Sequence, residues 1–173
     1  KNALGIKRAK ENNIPFFTLD PKKFNSREAF DEAIIDKLKN FDFDLLVLAG
    51  YMRILSEKFV KTYEDKIINL HPSLLPKYPG LNTHEKIIEN KEIHHGATVH
   101  FVDSGLDTGQ IIGYSKFEVN DHDLTSLEQK VHEIEHKLLP LICSLIKNDE
   151  IKFIDKILTI NGLEYSNGKE YIF

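Results

Sequence analysis

The sequence predicts an α/β fold in which a mostly parallel sheet is flanked by helices. Three observations carry that prediction. Apolar runs of strand length recur at short spacing, with Leu45 to Ala49 and Ile67 to Leu70 the clearest. Stretches of helical period separate them. Gly50 closes the first run, and a loop with three prolines, Pro72, Pro76 and Pro79, follows the second. Strands that alternate with helices at this spacing favour parallel pairing, and continuous apolar strands favour burial on both faces.

Each element follows from local chemistry. Gly5 to Asn12 reads as the end of a helix, closed by Asn12-Asn13 ahead of Pro15. Pro15 to Leu19 reads as a short strand. Asn25-Ser26 offers an N-cap with Glu28 in the first turn, and Phe30, Ala33, Ile34 and Leu38 follow at helical spacing. Leu45 to Ala49 is the strand expected to be buried on both faces. Ser56 caps a short helix that carries Phe59, Val60 and Tyr63, and Ile67 to Leu70 is the next buried strand. Beyond the prolines, Thr83 to Asn90 reads as helix. Ala97 to Val102 and Gln110 to Val119 read as strands joined by the turn-rich DSGLDTG, Asp103 to Gly109. Asp123 to Lys147 is a long helix with apolar Leu127, Val131, Ile134, Leu138 and Ile142. The tail, 151–173, reads as a small hairpin around Asn161-Gly162 with a second turn at Asn167-Gly168.

Composition narrows the function classes. The 173 residues fit one domain with a sizeable core. The net charge is −4, and the lysines are interleaved with acids, so no basic face for nucleic acid is expected. No apolar run approaches the roughly 18 residues of a membrane span. The single cysteine, Cys143, excludes an internal disulfide and fits a reducing, cytoplasmic compartment; its apolar surroundings make it a small core residue. The sequence opens Lys-Asn-Ala, which reads as a chain continuing upstream.

The densest chemistry lies in IINLHPSLLPKYPG, Ile67 to Gly80. Alternation along a strand sends Asn69 and His71 to one face. An amide there can donate to a developing oxyanion, and an imidazole can move a proton near neutral pH. Asp107, in the DSGLDTG loop, would orient the imidazole and favour its charged form. That trio suggests acyl-type transfer; the same residues can also merely satisfy backbone groups in tight loops. His132-Glu133-Ile134-Glu135-His136 matches the HExxH zinc pattern, but no third ligand appears downstream, and a partly exposed helix face accounts for it. His94-His95 reads as a loop feature. Arg53, just after a buried strand, is placed to bind an anion or to face solvent. In an open α/β sheet such sites gather beyond the carboxyl ends of the strands, where both Tyr51 to Leu55 and Asn69 to Pro72 fall.

The runs INLHPSLLPKYPGLNTH and HGATVHFVDSGLDTGQII resemble the folate-dependent formyltransferase family, as do NSREAFD at 25–31 and LVLAGYMRILSEKFV at 46–60. The resemblance runs from near residue 1 to about 147. It implies a Rossmann-like formyltransferase fold, with antiparallel strands toward the C-terminus. It implies formyl transfer from 10-formyltetrahydrofolate, a co-substrate, to the amine of 5-phosphoribosylglycinamide in purine biosynthesis, with no metal. By the same resemblance His71 is the general acid, Asn69 the oxyanion donor, and Asp107 the group that tunes His71 and orders water. Arg27 matches the position near the folate's glutamate tail. Met52, Arg53, Ile54 and Leu55, together with Asn69 and the loop Asp103, Ser104, Gly105, Leu106 and Asp107, match the folate pocket. His132, Glu133, Ile134 and Glu135 match a ribonucleotide-binding segment, with Glu135 on the ribose hydroxyls. The implied partners are these small molecules, with neither nucleic acid nor membrane, for a monomer or homodimer.

Two departures stand out. The family opens with a strand, a Gly-Ser-Asn phosphate loop and a helix, so 1–173 reads as a single formyltransferase domain without them; the sequence then either continues upstream or has lost full activity. Ser104 stands where relatives often carry an acidic or larger residue. Other readings are formyltetrahydrofolate hydrolase, methionyl-tRNA formyltransferase (which needs a basic C-terminal domain), a non-catalytic folate-binding module, or a metalloprotease.

Overall fold

The structure, a computed structural model, describes residues 3–121 and 123–173. Lys1 and Asn2, with which the sequence opens, and His122 lie outside the described residues. The chain divides into two compact units, Lys1–Asp42 and Phe43–Phe173.

The first unit holds α1 (Leu4–Glu11), a 3-10 turn at Pro21–Lys23 and α2 (Arg27–Leu38). Ser26 caps α2 as expected: its backbone is extended and its hydroxyl accepts from the Ala29 N–H at 3.1 Å. Phe30 and Ile35 are buried, and Phe24 meets Phe30 edge-on with ring centres 5.3 Å apart. The strand expected at 15–19 does not form. A strand exists only through a neighbour that takes its N–H and C=O groups, and no described strand belongs to this unit.

The second unit contains β1 (Leu46–Ala49), α3 (Glu57–Thr62), β2 (Ile67–His71), α4 (Thr83–Glu89), β3 (His94–Phe101), β4 (Ile111–Glu118) and α5 (Leu124–Lys147). It ends in β5 (Ile151–Ile154), β6 (Ile157–Ile160), β7 (Leu163–Glu164) and β8 (Lys169–Glu170). The main sheet has the order β1-β2-β3-β4-β8. β1 runs parallel to β2, β3 runs against both its neighbours, and β8 runs parallel to β4. Four of the five strands therefore point the same way, and helices flank them, which is the α/β arrangement expected.

β1 differs from expectation. It is the outermost strand, and its residues alternate between half-buried and exposed, with Val47 37% exposed. A continuous apolar run does not by itself fix burial on both faces. His94 and His95 also differ, because they open β3 instead of lying in a loop; β3 pairs with β4 from His94 onward.

α5 packs on β3 and β4. Its Leu127, Val131, Leu138 and Ile142 are fully buried, at the spacing of one helical face. Val131, Leu138 and Ile142 meet Ile68, Ala97, Val99 and Ile112 in one core. Pro140 lies inside the helix but is exposed, so it does not disturb that face. Cys143 packs against the core as expected, and burial raises its thiol pKa.

The second sheet, β5-β6-β7, is antiparallel. Asn161-Gly162 forms the anticipated turn, with both residues at positive φ. The preceding turn, Asp155-Lys156, is also left-handed at both residues and went unread because it carries no glycine. After Gly168 the chain does not close a local hairpin but enters the main sheet as β8.

Candidate active site

The strand geometry of β2 persists to His71, one residue further than the apolar pattern indicated. Asn69 and His71 therefore share a face, and both line a cavity of about 600 Å³ beyond the end of β2. The pairing register sets His100 of β3 directly opposite Asn69. Their side chains meet, Asn69 Nδ2 lying 3.1 Å from His100 Nε2. His100 Nδ1 is 2.7 Å from the Phe101 carbonyl oxygen, an acceptor, so Nδ1 carries the proton. A neutral His100 ring takes one amide hydrogen of Asn69 at Nε2, whereas a protonated ring directs its Nε2–H toward Asp107. The other amide hydrogen remains for a ligand oxygen.

His71 is almost enclosed, with 5% of its side chain exposed. Its Nε2–H donates to the Tyr78 carbonyl at 2.9 Å, and its Nδ1 lies 3.4 Å from Asp107 Oδ2. Asp107 sits at φ +55°, in the left-handed region, which turns its carboxylate back toward the strands. Oδ2 also accepts from the Gly80 N–H at 2.8 Å, while Oδ1 is 3.6 Å from His100 Nε2. Asp107 thus stands between two imidazoles.

The proline loop fixes both partners of this contact, since Tyr78 holds the ring and Gly80 holds the acid. The loop is itself braced. The Ser73 hydroxyl donates to Lys77 O at 2.7 Å, and the Thr98 hydroxyl donates to Ser73 O at 2.6 Å.

Burial lowers the pKa of His71, and the Tyr78 carbonyl and Asp107 only partly restore it. For Asp107, burial pushes upward but is outweighed. The contact with His100, the Gly80 N–H and the nearby His71 hold its carboxyl below the ordinary aspartate range.

The cavity brings together most of the residues expected to form the folate pocket. Met52, Arg53, Ile54 and Leu55 line one side, and Asp103, Gly105, Leu106 and Asp107 line another. Leu55 is buried, whereas Met52, Ile54 and Leu106 present exposed apolar surface. Ser104 lines a second cavity of about 470 Å³ on the other side of its loop. Arg27 belongs to the first unit, where it opens α2 and pairs with Glu28 at 3.0 Å.

The segment 132–135 does not present one face. Ile134 packs against the core, and Glu133 accepts from Gln129 at 3.3 Å. His132 Nδ1 and Glu135 Oε2 meet at 2.8 Å, one helical turn apart. Among the described residues no group of three or more His, Cys, Asp or Glu side chains is arranged to hold a metal ion. His132 and His136 stack 6.4 Å apart instead.

Two site residues were missed in the sequence. His100 was legible only through the register, since ATVHFV places it on the same face as Thr98 but names no partner. His84 of α4 lines the cavity, and its Nδ1 lies 2.9 Å from Nε2 of the fully buried His95. Burial and then the neighbouring His84 push the pKa of His95 down to about 4.

Known proteins are similar to this chain in sequence and in fold. The model of the Formyl transferase family matches residues 1–143. The phosphoribosylglycinamide formyltransferase of Bacillus subtilis (strain 168) is 41% identical over 138 residues, 79% of this chain and 71% of the relative. That of Escherichia coli (strain K12) is 39% identical over 165 residues, 93% of this chain and 76% of the relative. The solved phosphoribosylglycinamide formyltransferase of Coxiella burnetii superposes with a TM-score of 0.91 at 34% identity, covering 98% of this chain and 81% of that one. The chain belongs to the formyl transferase family, among the phosphoribosylglycinamide formyltransferases.

Proposed function

We propose that this chain carries out its family's reaction with Asn69, His71 and Asp107 as the working groups. The reaction moves a formyl group from 10-formyltetrahydrofolate to the amine of 5-phosphoribosylglycinamide, in purine biosynthesis. One observation supports the residue assignment above the others: Asn69, His71, His100 and Asp107 form a continuous chain of contacts on the wall of the large cavity.

The amine nitrogen attacks the formyl carbon, and the carbonyl oxygen gains negative charge. The free N–H of Asn69, oriented by His100, donates to that oxygen. As the tetrahedral intermediate collapses, the folate nitrogen leaves and takes a proton from His71. The proton lost by the amine passes to water beside Asp107 and back to His71. Nε2 of His71 is engaged by Tyr78, so Nδ1 is the nitrogen that exchanges its proton. Burial makes the His71 imidazolium a stronger acid than a free one, and Asp107 keeps the charged form within reach.

The apolar rim of Met52, Ile54 and Leu106 suits the flat ring of the folate, and backbone groups of 103–107 suit its polar edge. Arg27 is assigned to the glutamate tail, Arg53 to an anionic group, and His132 to Glu135 to the ribonucleotide, with Glu135 on the ribose hydroxyls. No step calls on a metal. The family match runs through both units, which supports reading them as one formyltransferase domain. No described helix is long and apolar enough to cross a membrane. We place the protein in the cytoplasm, acting on small molecules as a monomer or homodimer.

The test follows a labelled formyl group from the folate with and without the glycinamide substrate. Transfer that requires the amine is expected. Release of formate at the same rate without it indicates water as acceptor and overturns the assignment. His71→Ala is expected to lower transfer about 100-fold or more while folate binding persists. Normal turnover in that variant removes His71 from the proton path.

A further inference from the structure

The loop 103–109 is a thin wall. Gly105, Leu106 and Asp107 line the large cavity, whereas Ser104, Thr108 and Gly109 line the second one behind it. The loop is held from outside by the contacts of Asp107 with Gly80, His71 and His100, and from within by hydrogen bonds that converge on one atom. Asp103 Oδ1 accepts from the Thr108 hydroxyl at 2.7 Å and from the Gly105 N–H at 3.0 Å. The Thr108 side chain closes directly over Gly105, where a Cβ would collide with Thr108 Oγ1.

We propose that Thr108 is a positioning residue for the formyl donor, the clasp that closes the loop through Asp103 and so presents residues 105–107 to the cavity. The proposal deepens the reading above and rests on it, because that reading makes this wall part of the folate pocket. The clasp spans the loop from its first residue to the one after Asp107. It therefore also helps hold the left-handed turn at Asp107 that aims the carboxylate at His71. Thr108 itself touches no reacting atom in this scheme; its effect passes through the loop.

The test compares Thr108→Val, which keeps the shape and loses the hydroxyl, with Thr108→Ser, which keeps the hydroxyl. A net hydrogen bond of ordinary strength corresponds to about fivefold in an equilibrium constant. Thr108→Val is expected to raise KM for 10-formyltetrahydrofolate about fivefold and to leave KM for the ribonucleotide within twofold. Thr108→Ser is expected to restore the donor KM to within twofold of wild type. A donor KM unchanged in Thr108→Val overturns the proposal. Equal impairment in both variants does too, since the hydroxyl is then not the operative group. Amide hydrogen exchange at Gly105 reads the clasp without catalysis. Protection is expected in wild type and Thr108→Ser and its loss in Thr108→Val; equal exchange in all three overturns the proposal even if the wild-type protein transfers no formyl group. Failure of the wild type to transfer the group instead counts against the reading of the reaction. Thermal unfolding of each variant separates a local change from a loss of the fold.

Discussion

Asp107 shows how much one side chain depends on others that are distant in sequence. Its carboxylate meets a backbone N–H from the proline loop, one imidazole from β2 and another from β3. Replacing it with Asn keeps the volume but removes the charge that favours the His71 imidazolium. Turnover of Asp107→Asn is therefore expected to fall by about 100-fold, with the fall greatest at high pH, and a pH–rate profile checks this. Asn69→Leu removes the oxyanion donor and is expected to cost about 100-fold in kcat with a smaller change in either KM. His95 makes a different prediction, about stability. Between pH 6.5 and about 4 the unfolded chain binds a proton at this residue and the folded chain does not. Stability is thus fully present above this window and falls as pH drops through it, by at most about 1.4 kcal/mol per pH unit from this group. The lowered pKa values of His71 and His84 act with the same sign. Urea midpoints across that range check it, and His95→Gln is expected to flatten the slope. That Asn69 and His71 share a face was legible because strand alternation is a local signal, whereas the approach of Asp107 to His71 joins segments distant in sequence. His100 was not legible, because its role depends on which residue of a neighbouring strand stands opposite.

Among the elements, β3 pairs on both sides and supports α5. Gly96 is its tightest point. A Cβ there would strike Ser115 O on β4 and lie 2.9 Å from Lys116 Cα, both backbone atoms that cannot turn aside. Gly96→Ala is expected to destabilise the protein by about 1–3 kcal/mol, read from chemical denaturation. The helix caps at Ser26, Ser56 and Asp123 were visible in sequence or follow from the same rule, since each side chain meets a backbone N–H three residues on. Strands were harder to read. The run at 15–19 has strand composition but no strand partner among the described residues, while His94 and His95 lack strand composition and pair with β4. Composition describes a single segment, whereas a strand is a relation between two.

Taken as a whole, the second unit closes a mixed sheet under one long helix and opens a cavity of about 600 Å³ at the end of β2. Formyl transfer is expected to survive exhaustive dialysis against a chelator, because each proposed step uses only Asn69, His71, Asp107 and water; loss of activity restored by a divalent ion is the contrary result. The reaction itself was legible in the sequence only through family resemblance, since amide, imidazole and carboxylate serve many acyl transfers. The final segment of the chain bears on the downstream end of the loop 103–109 from far away in sequence. Gln110, where the donor-facing loop hands over to β4, donates its side-chain amide to Ser166 O at 3.0 Å. Tyr171 N–H bonds to Tyr114 O at 2.8 Å, and a Cβ on Gly168 would lie 2.6 Å from Ile111 Cγ2 and 2.9 Å from its carbonyl oxygen. The tail thus braces the strand into which the loop runs. Trimming residues 165–173, or engineering bulk into Gly168, should slacken the grip on the incoming carbon donor before it alters the amine acceptor.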